Sequence, residues 1–497
     1  MYVGPMQGVS SGSTTGPNTA STTGPTSRVE CPAGEVTGLD RGATLVFKGI
    51  RFAEATRFEP PIDVTDLGRH DATRFRNQCP QVAGTMEQML GGSKIPTDEN
   101  CLHLNVYTPG CDDGRRPVLF WVHGGAYTSG GGAMPWYDGS RLATRGDVVV
   151  VTINYRLGSL GFLGGRNTGL LDQIAALRWV GRNVAAFGGD PDNVTIFGES
   201  AGGSSVVALS AVPGASGLFH RTLAMSPSIQ QFRSRETGEC SEHDMLDAAG
   251  VDGVGSLADL PIDAVIDAQA KVLSVPSLEA RHFSPTESTA TIPEPVVRAA
   301  ARDPRPLVIG TTLDEAKLFN AFDARRGNWT RVDAERRFRR VFDDRAADAI
   351  DVYSDARPGA SPAALVSAME TDVMFRNDAR RLATARATAG NPTWMYLFDQ
   401  ATPQFGGILG SCHALDIPFA FDNLHRPGVE AFAGSGPRLQ ELADRFSGAV
   451  IAFARSDDPG WQRYDRESRR TQRLGPEPAV VADPDADLRR LWDPVAP

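Results

Sequence analysis

A serine between an apolar run and a helical segment constrains this chain more than any other feature. Residues 194–197 (Val-Thr-Ile-Phe) read as a buried strand, and residues 198–202 (Gly-Glu-Ser-Ala-Gly) follow directly. Small residues at 198 and 202 let a strand and a helix pack closely, so that a strained turn projects the serine side chain. The helix N-terminus behind the turn favours a developing negative charge. The pattern predicts that Ser200 is a nucleophile at a strand-to-helix turn.

Short apolar runs alternate with segments of helical spacing along the chain. The apolar runs lie at 46–52, 102–107, 117–123, 147–154, 194–197, 223–226, 307–310 and 394–398. This alternation predicts an α/β fold, in which a large and mostly parallel central sheet is flanked by helices. Active sites in such sheets lie at the carboxyl ends of strands, where Ser200 falls. Residues 230–300 and 320–390 have weaker strand patterns and are predicted to be helical insertions that roof the site.

Composition and charge indicate how the chain is divided into domains, which partners it can have and where it is located. Residues 1–29 form a stretch rich in Gly, Ser, Thr and Pro without an apolar signal segment, so we expect a disordered tail there and a single catalytic domain over 30–497. A net charge of −10 argues against a nucleic-acid partner. Since the chain has no run near the roughly 20 apolar residues of a membrane span, we expect a protein with no membrane span. We expect it to be cytoplasmic, with export left open as the alternative.

A serine nucleophile needs a base and an acid that orients the base. When both follow the serine in the chain, the acid comes first. His413 follows an apolar run and a glycine-rich loop and is predicted to be the base, whereas His425 precedes Arg-Pro-Gly and is typical of a surface turn. Asp314 and Glu315 both follow the apolar run 307–310, and position alone does not choose between them.

An oxyanion hole is predicted at the end of an earlier strand. Residues 121–127 (Trp-Val-His-Gly-Gly-Ala-Tyr) are rich in small residues, which let backbone N–H groups approach a substrate carbonyl oxygen. The N–H of Ala201, directly after the serine, would add a further donor.

Taken together, these motifs resemble the type-B carboxylesterase family of α/β hydrolases. The resemblance runs over about residues 35–494, with landmarks at 47–50, 99–109, 154–158, 171–173, 187–191, 198–203 and 413–419. It implies Ser200 as nucleophile, His413 as base and Glu315, rather than Asp314, as the acid. The oxyanion donors that it implies are the N–H groups of Gly125, Ala126 and Ala201.

The resemblance implies a serine carboxylesterase that cleaves a small-molecule ester through an acyl-enzyme and needs no cofactor or metal. Activity should rise with pH through a group near about 6–7, the range of a free histidine. A related hydrolase of amides, carbamates or lipid esters would share the triad, and only substrate profiling separates these. A catalytically silent binding protein on this fold is the other alternative, but all three triad residues are present. The oligomeric state, monomer or dimer, is left open.

The six cysteines show neither CxxC pairs nor the spacing of a metal site. Members of the family often join the cysteine before the Cys-Leu-x-Leu-Asn motif to the one within it, and Cys79 and Cys101 match these positions. Such a bond would contribute about 3 kcal/mol, although a reducing cytoplasm disfavours it. The segment between the two cysteines lacks the tryptophan with which cholinesterases bind a quaternary ammonium, which argues against choline esters.

Overall fold

The computed structural model of the chain describes residues 24–82, 95–274, 283–321 and 323–493. Within these ranges, thirteen strands join one sheet in the order β1-β2-β3-β7-β9-β8-β10-β11-β12-β13-β14-β15, and β6 pairs with β2. The strands are β1 (Thr26–Cys31), β2 (Gly34–Asp40), β3 (Leu45–Arg51), β4 (Ala53–Glu54), β5 (Ile62–Asp63), β6 (Gly68–Asp71), β7 (His103–Thr108), β8 (Arg116–Val122), β9 (Val149–Ile153), β10 (Gly189–Glu199), β11 (Arg221–Met225), β12 (Leu307–Thr312), β13 (Thr393–Phe398), β14 (Thr471–Leu474) and β15 (Val480–Val481).

Helices flank the sheet and fill the long segments between its strands. The α-helices are α1 (Ser140–Gly146), α2 (Gly158–Phe162), α3 (Thr168–Asn183), α4 (Ala201–Ala208), α5 (Arg235–Ala249), α6 (Val254–Ala258), α7 (Ile262–Ser274), α8 (Val296–Arg302), α9 (Ala316–Asn320), α10 (Arg331–Phe342), α11 (Ala346–Ala356), α12 (Pro362–Thr371), α13 (Asn377–Thr388), α14 (Ile417–Ala420), α15 (Glu430–Ala433), α16 (Pro437–Ser456) and α17 (Ala486–Trp492). A π-helical turn over Asp372–Arg376 joins α12 to α13.

The centre of the sheet is parallel from β9 to β14, and its strands end level with one another. Gly198 in β10 pairs with Val122 in β8 on one side and with Ala224 in β11 on the other. Ala224 in turn pairs with Ile309 in β12. The carboxyl ends of these strands therefore meet at one edge, where the loops after them come together.

Side chains on the two faces of the sheet belong to two separate hydrophobic cores. Ile196 packs into the first core and its neighbour Phe197 into the second. Because successive side chains of a strand point to opposite faces, helices must cover both. A third, smaller core joins α10, α11, α12 and α17 around Phe338 and Tyr353.

The structure confirms the predicted α/β fold and the strand at each of the eight predicted runs. The boundary drawn between residues 29 and 30 is wrong, because it falls inside β1, which pairs antiparallel with β2 from Thr26 onward. Residues 1–23 of the predicted tail lie outside the described residues. In the described parts of the chain, no helix has both the length and the apolar composition to cross a membrane.

Candidate active site

Ser200 occupies the sharp turn between β10 and α4. Its backbone is in the positive-φ region (φ 57°, ψ −122°), which a side-chain-bearing residue adopts only under strain. A hydrogen bond from the Ser200 N–H to the Met225 carbonyl (3.0 Å) holds the turn. A Cβ at Gly202 would lie 2.0 Å from the Val122 carbonyl oxygen, so only glycine allows the helix to sit this close to β8. The predicted strand-to-helix turn is present, with a half-buried serine at its apex.

His413 and Glu315 are joined by a short polar contact. The Nδ1 atom of His413 lies 2.6 Å from Glu315 Oε2, and both side chains are buried. The other Glu315 oxygen, Oε1, accepts hydrogen bonds from Ser226 Oγ (2.6 Å) and from the Thr312 N–H (2.7 Å). Because these donors fix the carboxylate, the carboxylate in turn fixes the orientation of the imidazole ring.

Asp314, the alternative acid, is engaged elsewhere. Its N–H donates to the Ser411 carbonyl (2.8 Å), and its carboxylate accepts from the Ser411 N–H (3.2 Å). Lys317 and Arg357 lie 3.2 and 3.3 Å from the same carboxylate. Asp314 therefore anchors the loop that precedes His413, while Glu315 contacts the ring. The other histidine that follows the acids, His425, is exposed in a turn.

Glu199 is a buried carboxylate that no sequence motif marks as part of the site. Its Oε1 atom lies 3.1 Å from His413 Nε2, as in an ion pair, and has no hydrogen-bond partner among the described residues. Burial raises the pKa of Glu199 to about 8. Burial lowers the pKa of His413, but the charges of Glu199 and Glu315 raise it by more, so that the pKa ends above its ordinary value. The only sequence signal for this contact is the position of Glu199 directly before Ser200.

The loop after β8 lies against the serine turn. A Cβ at Gly124 would be 3.1 Å from Ser200 Cβ, so the two backbones are in contact. Gly125 (φ 110°) and Ala126 (φ 52°) turn the chain, and neither N–H donates a hydrogen bond to another described residue. Ala201 is buried at the first position of α4. These three backbone groups are the predicted oxyanion donors, and the loop brings two of them to the turn that carries the third.

Two phenylalanine rings cover His413. The Phe375 ring centroid lies 4.6 Å from that of His413, and the Phe319 centroid lies 5.2 Å from it. Phe375 is buried, whereas Phe319 is 49% exposed. Both rings come from the predicted insertion 320–390 and the residues just before it. They form an apolar wall next to the imidazole.

A buried ion pair secures the end of β12, and no sequence pattern indicated it. The Arg376 guanidinium pairs with Asp372 (2.8 Å) and donates to the carbonyls of Thr312 (3.0 Å) and Leu313 (2.6 Å). Thr312 is the residue whose N–H holds Glu315. Arg376 therefore positions the backbone that positions the acid.

The two cysteines of the predicted disulfide are buried neighbours. Both Cys79 and Cys101 are free thiols, and the Leu157 N–H donates to Cys79 Sγ (3.2 Å). The adjacent Cys79 thiol and burial raise the pKa of Cys101 well above its ordinary value. The disulfide stays a prediction.

Comparison with known proteins gives one consistent result. A family model described as the carboxylesterase family matches residues 25–485. The chain is 34% identical to the para-nitrobenzyl esterase of Bacillus subtilis (strain 168), over 93% of this chain and 97% of that protein. It is 34% identical to the phenmedipham hydrolase of Pseudarthrobacter oxydans, over 90% of this chain and 95% of that protein. The solved structure of the Geobacillus stearothermophilus carboxylesterase EST55 superposes with a TM-score of 0.83 at 35% identity, covering 94% of this chain and 100% of that one.

Proposed function

Since the chain belongs to the carboxylesterase family and is a carboxylic ester hydrolase, we propose that Ser200, His413 and Glu315 are its catalytic triad. One observation carries the proposal: His413 is held at 2.6 Å by Glu315 through Nδ1, while Nε2 lies beside the residue that precedes Ser200. A serine hydrolase needs the acid on one ring nitrogen and the nucleophile at the other, and Glu315 supports the first of these two roles. A direct Ser200–His413 hydrogen bond is expected to form when substrate binds, as often occurs in such sites.

In the proposed mechanism, His413 Nε2 takes the proton of Ser200 Oγ as the oxygen attacks the ester carbonyl carbon. The carbonyl oxygen becomes negative and accepts hydrogen bonds from the N–H groups of Gly125, Ala126 and Ala201. The protonated imidazole, stabilised by Glu315, then gives its proton to the departing alkoxide, which leaves as the alcohol. A water molecule attacks the acyl-enzyme by the same steps in reverse, releasing the acid and restoring Ser200.

The apolar wall of Phe319 and Phe375 supports a preference for esters with an aromatic or apolar group on the acyl or alcohol side. The similarity to a para-nitrobenzyl esterase is consistent with an aromatic group at this place. Substrate specificity is best measured with p-nitrophenyl esters from acetate to dodecanoate, with benzyl esters alongside. The matching anilides separate ester from amide hydrolysis. The cytoplasmic location, the single catalytic domain and the disulfide remain predictions.

Replacing Phe319 with alanine is expected to lower kcat/KM for a benzyl ester about two- to tenfold, while an aliphatic ester of similar size should be affected less. This factor corresponds to the free energy of one contact between aromatic rings. Phe405→Ala is the matched control, because Phe405 is similarly exposed and has no ring contact with His413 among the described residues. An equal loss for both esters in Phe319→Ala would count against the aromatic subsite and leave the triad untouched.

The pH dependence of kcat/KM should reflect the two carboxylates at His413. Because their charges raise the pKa of His413, the ring keeps its proton to higher pH, and activity should rise with pH above the ordinary imidazole range. The pH at which kcat/KM rises, here called the limb of the profile, should therefore lie higher than the sequence alone predicts. In Glu199→Gln the limb should shift to lower pH, whereas Glu441→Gln, at an exposed position on α16, should leave it in place. A limb that is the same in all three proteins would contradict the assignment.

Alanine substitutions at two glycines test whether the loop after β8 holds the oxyanion. A Cβ at Gly125 would lie 2.1 Å from the Ser129 carbonyl oxygen, so Gly125→Ala must displace the loop. We expect kcat to fall by about 10²–10³, the loss typical of one oxyanion donor. Gly181→Ala is the control, because its Cβ would meet nothing within 4 Å and it lies within α3. Normal turnover by a folded Gly125→Ala enzyme would refute this loop as the oxyanion hole.

A further inference from the structure

A cavity rich in arginine lies apart from the candidate active site. It has a volume of about 280 Å³, and four of its nine lining residues are arginines: Arg380, Arg381, Arg469 and Arg489. Three separate parts of the chain supply them, namely α13, the segment just before β14, and α17. None of the nine lining residues belongs to the triad or to the oxyanion loop. The mechanism above therefore gives the cavity no role.

Two buried donors at the cavity lack acceptors. Among the described residues, neither Arg380 Nη1 nor Asn377 Nδ2 has a hydrogen-bond partner, although both atoms are shielded from solvent. The two residues are three positions apart on α13, so their side chains lie on the same helix face. Leaving such donors unsatisfied is costly, so a bound water or ligand that supplies an acceptor would stabilise this place. An acceptor from a bound molecule would satisfy them after a small side-chain movement.

The residues that line the cavity carry more positive than negative charge. Each arginine of the lining has an aspartate partner: Arg380 pairs with Asp485 (3.5 Å), Arg381 with Asp378 (3.4 Å), Arg469 with Asp483 (3.9 Å) and Arg489 with Asp483 (2.9 Å). None of these three aspartates lines the cavity. Asp493 is the one acidic residue among the nine, and it pairs with Arg489 at 2.7 Å. An anion inside the cavity would therefore face four guanidinium groups and one carboxylate directly, while the three aspartates behind the wall offset part of this positive charge. Burial also lowers the pKa of Arg380, while the charges of Asp372 and Asp485 oppose this shift.

From this arrangement we infer that the cavity binds a small phosphate-bearing anion, either inorganic phosphate or a phosphomonoester. The planar guanidinium group presents paired N–H donors that match phosphate oxygens. The volume is just below the range of about 300–1,000 Å³ that holds drug-sized ligands, which suits a small molecule. Trp492 already donates its indole N–H to Tyr353 Oη (2.9 Å), so its ring offers an apolar wall to an organic substituent.

Isothermal titration calorimetry of the full chain with inorganic phosphate and, separately, with phenyl phosphate tests the inference without measuring esterase activity. Sodium chloride at matched ionic strength controls for general screening. The wild-type protein should bind one anion per chain. Arg380→Gln and Arg381→Gln should each weaken binding about tenfold or more, since a hydrogen bond to a charged group is worth that factor. Tighter binding of phenyl phosphate than of phosphate would identify a monoester as the ligand, and equal binding would identify phosphate itself.

Three further variants make the result specific to the cavity. Arg490→Gln removes the same charge one residue from Arg489 but outside the lining, and it should bind like wild type. Asp493→Asn removes the acidic lining residue and should tighten binding several-fold. Arg380→Lys keeps the positive charge and so controls for loss of binding through misfolding. It should bind phosphate more tightly than Arg380→Gln does. Absence of binding by a folded wild-type protein, or equal loss in Arg490→Gln and Arg381→Gln, would overturn the inference.

Discussion

Replacing Ser200 with alanine is expected to lower kcat for a p-nitrophenyl ester by about 10⁴-fold or more, as in other serine hydrolases. Alanine retains the small side chain that the strained turn accommodates, but it cannot attack the carbonyl carbon. Binding and the oxyanion donors would still act on the substrate, so some catalysis over the uncatalysed rate should remain. The measurement is a comparison of steady-state rates at saturating substrate.

Ser210→Ala is the matched control for that experiment. Ser210 lies just beyond α4 and donates its hydroxyl to the Val207 carbonyl (2.6 Å), so its removal tests the general effect of losing a serine in this region. We expect its kcat to stay within about twofold of wild type, because substitutions away from such functional groups usually change little. A Ser200→Ala enzyme that kept more than a small fraction of the activity of Ser210→Ala would exclude Ser200 as the nucleophile.

Replacing Glu315 with glutamine is expected to lower kcat by about 10⁴-fold, the loss seen when a triad acid becomes an amide. The amide would still fit the site, but it could offer an N–H to His413 Nδ1 and so stabilise the wrong tautomer. It would also remove the charge that stabilises the imidazolium. Steady-state rates, together with a thermal unfolding curve, would separate this effect from a loss of folded protein.

Asp314→Asn provides the comparison, because the two acids are adjacent and sequence position did not choose between them. Asp314 contacts Ser411, Lys317 and Arg357 rather than the imidazole. We therefore expect Asp314→Asn to loosen the loop before His413 and to reduce kcat by about tenfold or less, the effect of a misplaced rather than a missing group. If the order were reversed, with Asp314→Asn the more severe variant, Asp314 would be the triad acid.

The central strands could be predicted from the sequence because they are buried in the middle of the sheet. Strands such as β9 are covered on both faces, and burial on both faces demands a continuous apolar run. The strands at the margins of the sheet could not be identified in this way. In β6 most residues are exposed, and in β14 the two central residues are partly exposed, so neither carries a long apolar pattern. The turn at Ser200 was predictable for a local reason, since Gly202 must leave room for the Val122 carbonyl.

The remaining parts of the site depend on contacts between distant residues, and no local pattern marks them. Glu199 and His413 are more than two hundred positions apart, and their effect on each other arises only from burial in the same place. Arg376 lies in a π-helical turn, which has no distinct signal in a stretch of helical periodicity. Ser226 holds the acid only because β11 ends beside β12. The arginine cavity combines α13, α17 and the segment before β14 for the same reason.

The most direct test is a crystal structure of the enzyme after reaction with a serine-directed organophosphate. The proposed triad predicts a phosphorus atom bonded to Ser200 Oγ, with His413 Nε2 within about 2.6–3.2 Å of that oxygen. It also predicts that a phosphoryl oxygen accepts hydrogen bonds from the N–H groups of Gly125, Ala126 and Ala201. A label on any other residue, or an imidazole at 413 out of reach of the labelled oxygen, would contradict it.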